Sequence, residues 1–152
     1  MAQPLTRPGA AAFDRMDGNI TYLLTTIAKQ IENEIPDLLQ GTDLNTTGYR
    51  ILKSVQAYDD LSISDLGRIM QIDRAQISRA AVALAGQGYV SFHDHPGNKR
   101  KKMVSLTPRG VEVLALVAPR FDARRARIEA ALGPRLGDTL AALHIVRDAL
   151  PR

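Results

Sequence analysis

The most restrictive feature of this sequence is a change of hydrophobic period. In its first half, apolar residues recur every three or four positions, as in amphipathic helices. Val90 and Phe92 then alternate with Ser91 and His93, and Val104 and Leu106 alternate with Met103 and Ser105. Pro96-Gly97-Asn98 between these runs is a strong turn signal. The pattern predicts a two-stranded hairpin that follows a group of short helices.

Two short helices directly before the hairpin are indicated by their capping residues. Ser62 and Asp65 have the spacing of a capping box, and Asp73 can cap the next helix. That next helix has an inward stripe at helical spacing, formed by Ile77, Ala80, Ala81 and Leu84. Its outward face is then formed by Arg74, Ala75, Gln76, Ser78, Arg79 and Val82.

Positive charge is concentrated in the predicted hairpin. The chain has a net charge of +4. Residues 91–102 contain four cations, Lys99, Arg100, Lys101 and Lys102, against Asp94. Residues 31–60 are acidic by contrast. This asymmetry indicates a localised anion-binding element, whereas a charge run alone would indicate only a solvated loop.

Two helices and a basic hairpin in this order predict a winged helix-turn-helix, with the second helix in the major groove of DNA. Arginine can bridge the O6 and N7 of guanine, and glutamine the N6 and N7 of adenine. The predicted recognition residues are Arg74, Ala75, Gln76, Ser78 and Arg79. The predicted wing contacts are Lys99, Arg100 and Lys101, and the predicted contacts to the DNA backbone are Ser62 and Ser64.

The remaining segments predict flanking helices, which makes the fold mainly α with a small β-hairpin (α+β). Residues 1–12 are expected to form a flexible arm, and residues 46–107 the winged helix-turn-helix. Residues 13–45 and 108–152 are rich in apolar residues at helical spacing. These helices have more apolar residues than are needed to cover a lone winged domain. We therefore expect them to form a homodimer interface.

Several classes of function are excluded or disfavoured. The chain has no cysteine, so thiolate catalysis, disulfides and cysteine zinc sites are excluded. His93-Asp94-His95 lies among cations without a third histidine nearby, and no catalytic triad or phosphate-binding glycine loop is present. We therefore expect no enzyme activity, no cofactor and no metal. No apolar run is long enough for a membrane span or a signal peptide, and we expect a cytoplasmic protein.

The segment from Leu61 to Gly110 resembles the MarR (multiple antibiotic resistance regulator) family of bacterial transcription factors. The resemblance runs through the segments Leu61–Leu66 and Asp73–Arg79, then through Leu84, Gly88–Val90 and Val104–Gly110. One departure lies in the wing, where the family usually has an aspartate two residues before its tip arginine. Here Asn98 precedes Arg100, so the carboxylate that would brace this arginine is missing.

The resemblance implies a dimeric repressor that binds a near-palindromic DNA operator and is released by a small molecule. In the family, small and often aromatic acids bind between the dimerisation helices and the DNA-binding lobe. The residues that could form such a pocket here are Tyr22, Thr26, Tyr49 and Arg50. Two alternatives stay open: a winged-helix protein-interaction module, and a DNA-binding protein without an effector. Steeply salt-dependent binding to a duplex would separate the first alternative from a DNA-binding protein.

Overall fold

The computed structural model describes residue 16, residues 18–59 and residues 61–151, in two compact units that divide between Thr46 and Thr47. The predicted arm of residues 1–12 lies outside the described residues, as does the predicted start of the first helix at Phe13. No helix in the described part of the chain is long and apolar enough to cross a membrane.

The first unit contains helix α1 (Ile20–Asn33) and the short helix α2 (Ile35–Leu38). Asn19 caps α1 because its side-chain oxygen accepts a hydrogen bond from the backbone N–H of Tyr22 at 3.1 Å. Pro36 lies in the first turn of α2, where the missing N–H of a proline costs nothing. The break between the two helices therefore precedes Pro36.

The second unit has the order helix, strand, two helices, hairpin and two helices. Its elements are α3 (Thr46–Ala57), β1 (Leu61–Ser62), α4 (Ile63–Met70), α5 (Arg74–Gly86), β2 (Val90–His95), β3 (Asn98–Leu106), α6 (Pro108–Leu132), a 3₁₀ turn (Gly133–Arg135) and α7 (Leu136–Ala149). Its core contains Ile51, Leu52, Leu66, Ile77, Val104 and Val117, all fully buried. The amphipathic spacing in the sequence thus yields one apolar core under the hairpin.

The sheet has three antiparallel strands in the order β1-β3-β2. The sequence predicts only the β2–β3 hairpin, because a two-residue strand such as β1 has no readable alternation. β1 pairs with β3 through Leu61 opposite Val104 and Ser62 opposite Met103. This pairing makes β3 the central strand. Because β3 is central, both Met103 and Val104 are buried, although the predicted alternation would expose Met103. Phe92, on the edge strand β2, is 38% exposed.

Helix α6 begins where the sequence predicts, after the sheet. The Thr107 hydroxyl accepts a hydrogen bond from the Gly110 N–H at 3.1 Å and donates one to the Gly88 carbonyl at 2.6 Å. Pro108 occupies the first turn, and the helix continues through Pro119 to Leu132. The cap therefore ties the start of α6 to the loop that leads into β2.

Candidate nucleic-acid interface

The start of α4 is fixed by the predicted capping box. The Ser62 hydroxyl accepts a hydrogen bond from the Asp65 N–H at 3.2 Å, and Asp65 Oδ2 accepts one from the Ser62 N–H at 3.1 Å. The Ser62 hydroxyl also donates to Asp65 Oδ2 at 2.6 Å, and Ser62 is only 2% exposed. Of the two serines that the sequence assigns to the DNA backbone, Ser62 is thus engaged inside the cap and Ser64 is exposed.

The turn between α4 and α5 is tight. Gln71 adopts a left-handed conformation with φ of 54°, and the Ile72 N–H donates to the Gly67 carbonyl at 3.1 Å. A Cβ at position 67 would lie 3.1 Å from the Ile72 carbonyl oxygen, so a side chain there would require the turn to shift by a few tenths of an ångström. Asp73 then caps α5 through the N–H groups of residues 75 and 76. The result is a helix-turn-helix.

Helix α5 turns its predicted apolar stripe inward, with Ile77, Ala81 and Leu84 buried and Ala80 half-buried. All five predicted recognition residues, Arg74, Ala75, Gln76, Ser78 and Arg79, are exposed. A helix that exposes arginine, glutamine and serine between small residues can lie flat in a groove ~12 Å wide. The outer face of α5 therefore offers donors and acceptors without a bulky obstruction.

The wing is formed by β2, β3 and the turn between them, residues 90–106. Asn98 Oδ1 accepts a hydrogen bond from the Arg100 N–H at 3.0 Å, so the amide holds the backbone of this arginine without a carboxylate charge. At the opposite side of the turn, the Gly97 N–H donates to His95 Nδ1 at 3.0 Å. These short-range bonds shape the tip of the hairpin from within.

The four wing cations fall into two pairs. Lys102 forms an ion pair with Asp94, its neighbour across the hairpin. Lys101 Nζ lies 3.2 Å from Asp65 Oδ2 at the start of α4. In the described part of the chain, the exposed side chains of Lys99 and Arg100 have no ion-pair partner. Sequence reasoning groups Lys101 with these two, because the ion pair depends on a residue far away along the chain.

The helix-turn-helix and the wing meet at one open groove with a volume of about 450 Å³. It is lined by Ser62, Ile63, Ser64, Arg74, Ser78, Asn98, Arg100, Lys101 and Lys102. The structure thereby brings predicted residues of α4, α5 and the wing to a single cationic surface. Gln76, Arg79 and Lys99 are exposed but do not line this groove.

The predicted effector residues belong to both units. Tyr22 and Thr26 belong to α1 in the first unit, and Tyr49 and Arg50 to α3 in the second. The ring of Tyr49 stacks on that of Phe121 of α6, with centroids 4.1 Å apart and an interplanar angle of 12°. Burial raises the pKa of the Tyr49 phenol, and Arg124 partly opposes this. No local pattern in the sequence indicates this stacking partner.

Comparison with known proteins agrees with this architecture. The sequence model of the MarR family matches residues 44–102. The transcriptional regulator Hpr of Bacillus licheniformis is 24% identical over 123 residues, 81% of this chain. The matched region spans 58% of the length of that relative.

Solved structures extend the likeness to nearly the whole chain. A MarR family transcriptional regulator from Silicibacter pomeroyi has a TM-score of 0.80 at 24% identity and covers 96% of this chain and 95% of its own. The S. aureus MepR–DNA complex has a TM-score of 0.78 at 17% identity, with coverages of 89% and 99%. Bordetella bronchiseptica BpsR, solved in work on its regulation by 6-hydroxynicotinic acid, has a TM-score of 0.70 at 18% identity, with coverages of 86% and 91%.

These comparisons all point to proteins of one kind, transcriptional regulators. The three likenesses to solved structures concern the fold, while the match to residues 44–102 is one of sequence. Taken with the capping box, the exposed face of α5 and the wing, they lead to one assignment. Residues 44–102 match the MarR family of winged helix-turn-helix transcriptional regulators, and the chain has the fold of such regulators over nearly its whole length.

Proposed function

We propose that this protein is a sequence-specific DNA-binding repressor that acts as a homodimer on a near-palindromic operator. The observation that carries the proposal is the groove where α4, α5 and β3 meet. Arg74 and Arg100 bring guanidinium groups to it from two different elements. Ser64 and Ser78 add hydroxyl groups. Guanidinium and hydroxyl donors around a concave surface suit phosphate oxygens, and the exposed face of α5 beside them suits base edges.

Selection of bound 30-base-pair duplexes from a random pool tests this proposal. A two-fold dimer places two recognition helices about one turn of DNA apart, so enriched duplexes should contain inverted half-sites. Binding should weaken steeply with salt, because phosphate contacts release counterions. A protein that enriches no sequence and binds DNA without salt dependence would instead be a protein-interaction module.

The base-reading part of the proposal rests on Arg79 and Gln76, which are exposed on α5. Arg79→Ala should cost about 1–3 kcal/mol on the enriched duplex and much less on a duplex of mixed sequence. Arg135→Ala is the matched control, since Arg135 is exposed in the turn before α7, outside the groove. Equal weakening on both duplexes would assign Arg79 to the phosphates instead of the bases.

The homodimer is supported by apolar side chains on the terminal helices. Ile20 and Ile27 of α1 are 61% and 47% exposed. Ile145 and Leu140 of α7 are 72% and 49% exposed, and no residue of α7 is buried in the single chain. Faces as apolar as these are normally covered in a soluble regulator. We infer that a second copy covers them, and sedimentation tests this directly.

The proposal also includes an effector: a small aromatic acid that releases the protein from its operator. Tyr49 and Arg50 lie next to each other on α3, and BpsR provides a precedent in a protein of the same fold. A tenfold loss of DNA affinity on binding the acid requires a coupling free energy of about 1.4 kcal/mol between the acid and the DNA. Benzoate, salicylate and 6-hydroxynicotinate would be screened for thermal stabilisation and for release of the enriched duplex.

Arg50→Ala should abolish the effect of any compound that acts, because the guanidinium would pair with its carboxylate. Arg125→Ala is the control, as Arg125 binds acidic residues of its own helix. Compounds whose effect survives Arg50→Ala would remove Arg50 from the site. A screen without any active compound would favour a regulator that needs no effector.

A further inference from the structure

Lys101 differs from Lys99 and Arg100, the two unpaired cations of the wing, because it forms an ion pair with a residue outside the wing. Its side chain is 39% exposed, and its ammonium group lies 3.2 Å from Asp65 Oδ2. Lys102 is also paired, but with Asp94 inside the same hairpin. The Lys101–Asp65 pair therefore connects two different elements, the wing and the start of α4.

The carboxylate that receives Lys101 is itself held firmly. Asp65 Oδ2 accepts hydrogen bonds from both the N–H and the hydroxyl of Ser62, and Ser62 is buried. Arg68 approaches the other oxygen at 3.4 Å, but its side chain is 80% exposed. Since the acceptor cannot swing away without breaking the capping box, it gives Lys101 a fixed point of attachment.

The position of this pair along β3 suggests what it does. Backbone pairing between β1 and β3 ends at Ser62 opposite Met103. Lys101 is the next residue on the same face of β3 as Met103, so its side chain continues the connection just beyond the last paired residues. Beyond Lys101, the strand leads to Arg100, Lys99 and the tip of the wing.

We propose that Lys101 is a positioning residue, which fixes the wing against α4 through Asp65 while Lys99 and Arg100 make the phosphate contacts. This inference rests on the proposed DNA-binding function. It also corrects the simplest view of the wing, in which adjacent cations act alike. A lysine that neutralises a carboxylate of its own protein has little to gain from a phosphate, since it would exchange one anion for another.

The first test compares Lys101→Met with Lys99→Met, which removes the same charge from the same strand. Binding to the enriched duplex is measured between 50 and 300 mM salt. Lys99→Met should lower the magnitude of the slope of log K against log salt by about 1. Lys101→Met should leave the slope unchanged and weaken binding about two- to fivefold, the range of a partly exposed ion pair. Lys101→Arg should restore the affinity.

Asp65→Asn separates the two possible roles of Lys101, because they predict opposite changes in DNA affinity. It removes the negative charge that faces Lys101 and keeps an oxygen that can accept from the Ser62 N–H. If Lys101 contacts phosphate, Asp65→Asn frees that contact and binding should tighten. If Lys101 positions the wing, binding should weaken, and the double variant with Lys101→Met should bind no worse than the weaker single variant.

Amide hydrogen exchange of the DNA-free protein tests whether Lys101 holds the wing without relying on DNA binding. Lys101→Met should speed exchange in residues 98–102, and Lys99→Met should not. A slope lowered by about 1 in Lys101→Met, tighter binding by Asp65→Asn or unchanged exchange would each overturn the inference. A wild-type protein that shows no salt-dependent binding to DNA would refute the proposed function instead, and hydrogen exchange would still decide whether Lys101 holds the wing.

Discussion

Gly110 lies in the first turn of α6, at the point where this helix is tied to the winged domain. A Cβ built at position 110 would lie 2.1 Å from the backbone carbonyl oxygen of Tyr89 and 3.1 Å from its carbonyl carbon. Non-bonded contacts of a Cβ below 3.0 Å are essentially never seen. Gly110→Ala must therefore push the start of α6 roughly 1 Å away from the loop before β2.

The hydrogen bonds at this junction set the size of the effect. The Thr107 N–H donates to the Tyr89 carbonyl at 3.0 Å, and the Thr107 hydroxyl donates to the Gly88 carbonyl at 2.6 Å. Each is worth about 1 kcal/mol. Overpacking of a filled site adds about 1–3 kcal/mol, and the better helix propensity of alanine returns about 1 kcal/mol. We expect a net loss of about 2–4 kcal/mol in the free energy of unfolding.

Urea denaturation followed by circular dichroism measures this loss, at one fixed protein concentration because dimerisation affects stability. Gly86→Ala at the end of α5 is the matched control, since a Cβ there meets nothing within 4 Å and the residue lies outside the terminal helices and the groove. It should stabilise the protein by up to about 1 kcal/mol. If Gly110→Ala lowered the stability by less than about 1 kcal/mol, the close approach of α6 to the Tyr89 carbonyl would be wrong.

Three further predictions concern the wing, the dimer and the cap. Arg100→Ala should lower the magnitude of the salt slope on the enriched duplex by about 1, and an unchanged slope would remove Arg100 from the phosphate contacts. A chain that ends at Leu132 should lose dimerisation and tight operator binding together in sedimentation and titration, whereas a dimeric truncated chain would show that α7 is not at the interface. Hydrogen bonds from Ser62 lower the pKa of Asp65 from 3.8 to about 2, so its stabilisation is present above pH 4 and disappears as the pH falls toward 2. Asp65→Asn should therefore have a lower urea midpoint than the wild type at pH 7, with a difference that shrinks between pH 4 and 2.

The helical half of the fold and its caps could be predicted because their signals are local. The Ser62–Asp65 box and the Asp73 cap each join residues no more than three apart, and both form as predicted. The Thr107 cap is equally local. The exposed face of α5 follows in the same way from apolar residues at helical spacing. The hairpin also has a local signal, in its alternation and its Pro96-Gly97 turn.

Tertiary structure alone decided the pairings between distant segments. Strand β1 forms only because β3 lies beside it, and this pairing also buries Met103. The ring of Tyr49 on α3 stacks on that of Phe121 on α6, and Lys101 of the wing pairs with Asp65 of α4. Periodicity reports which face of an element is buried and a cap reports where it begins, but neither carries distances between elements. The four adjacent cations of the wing therefore look equivalent in the sequence, and only their spatial neighbours distinguish the two that are paired from the two that are not.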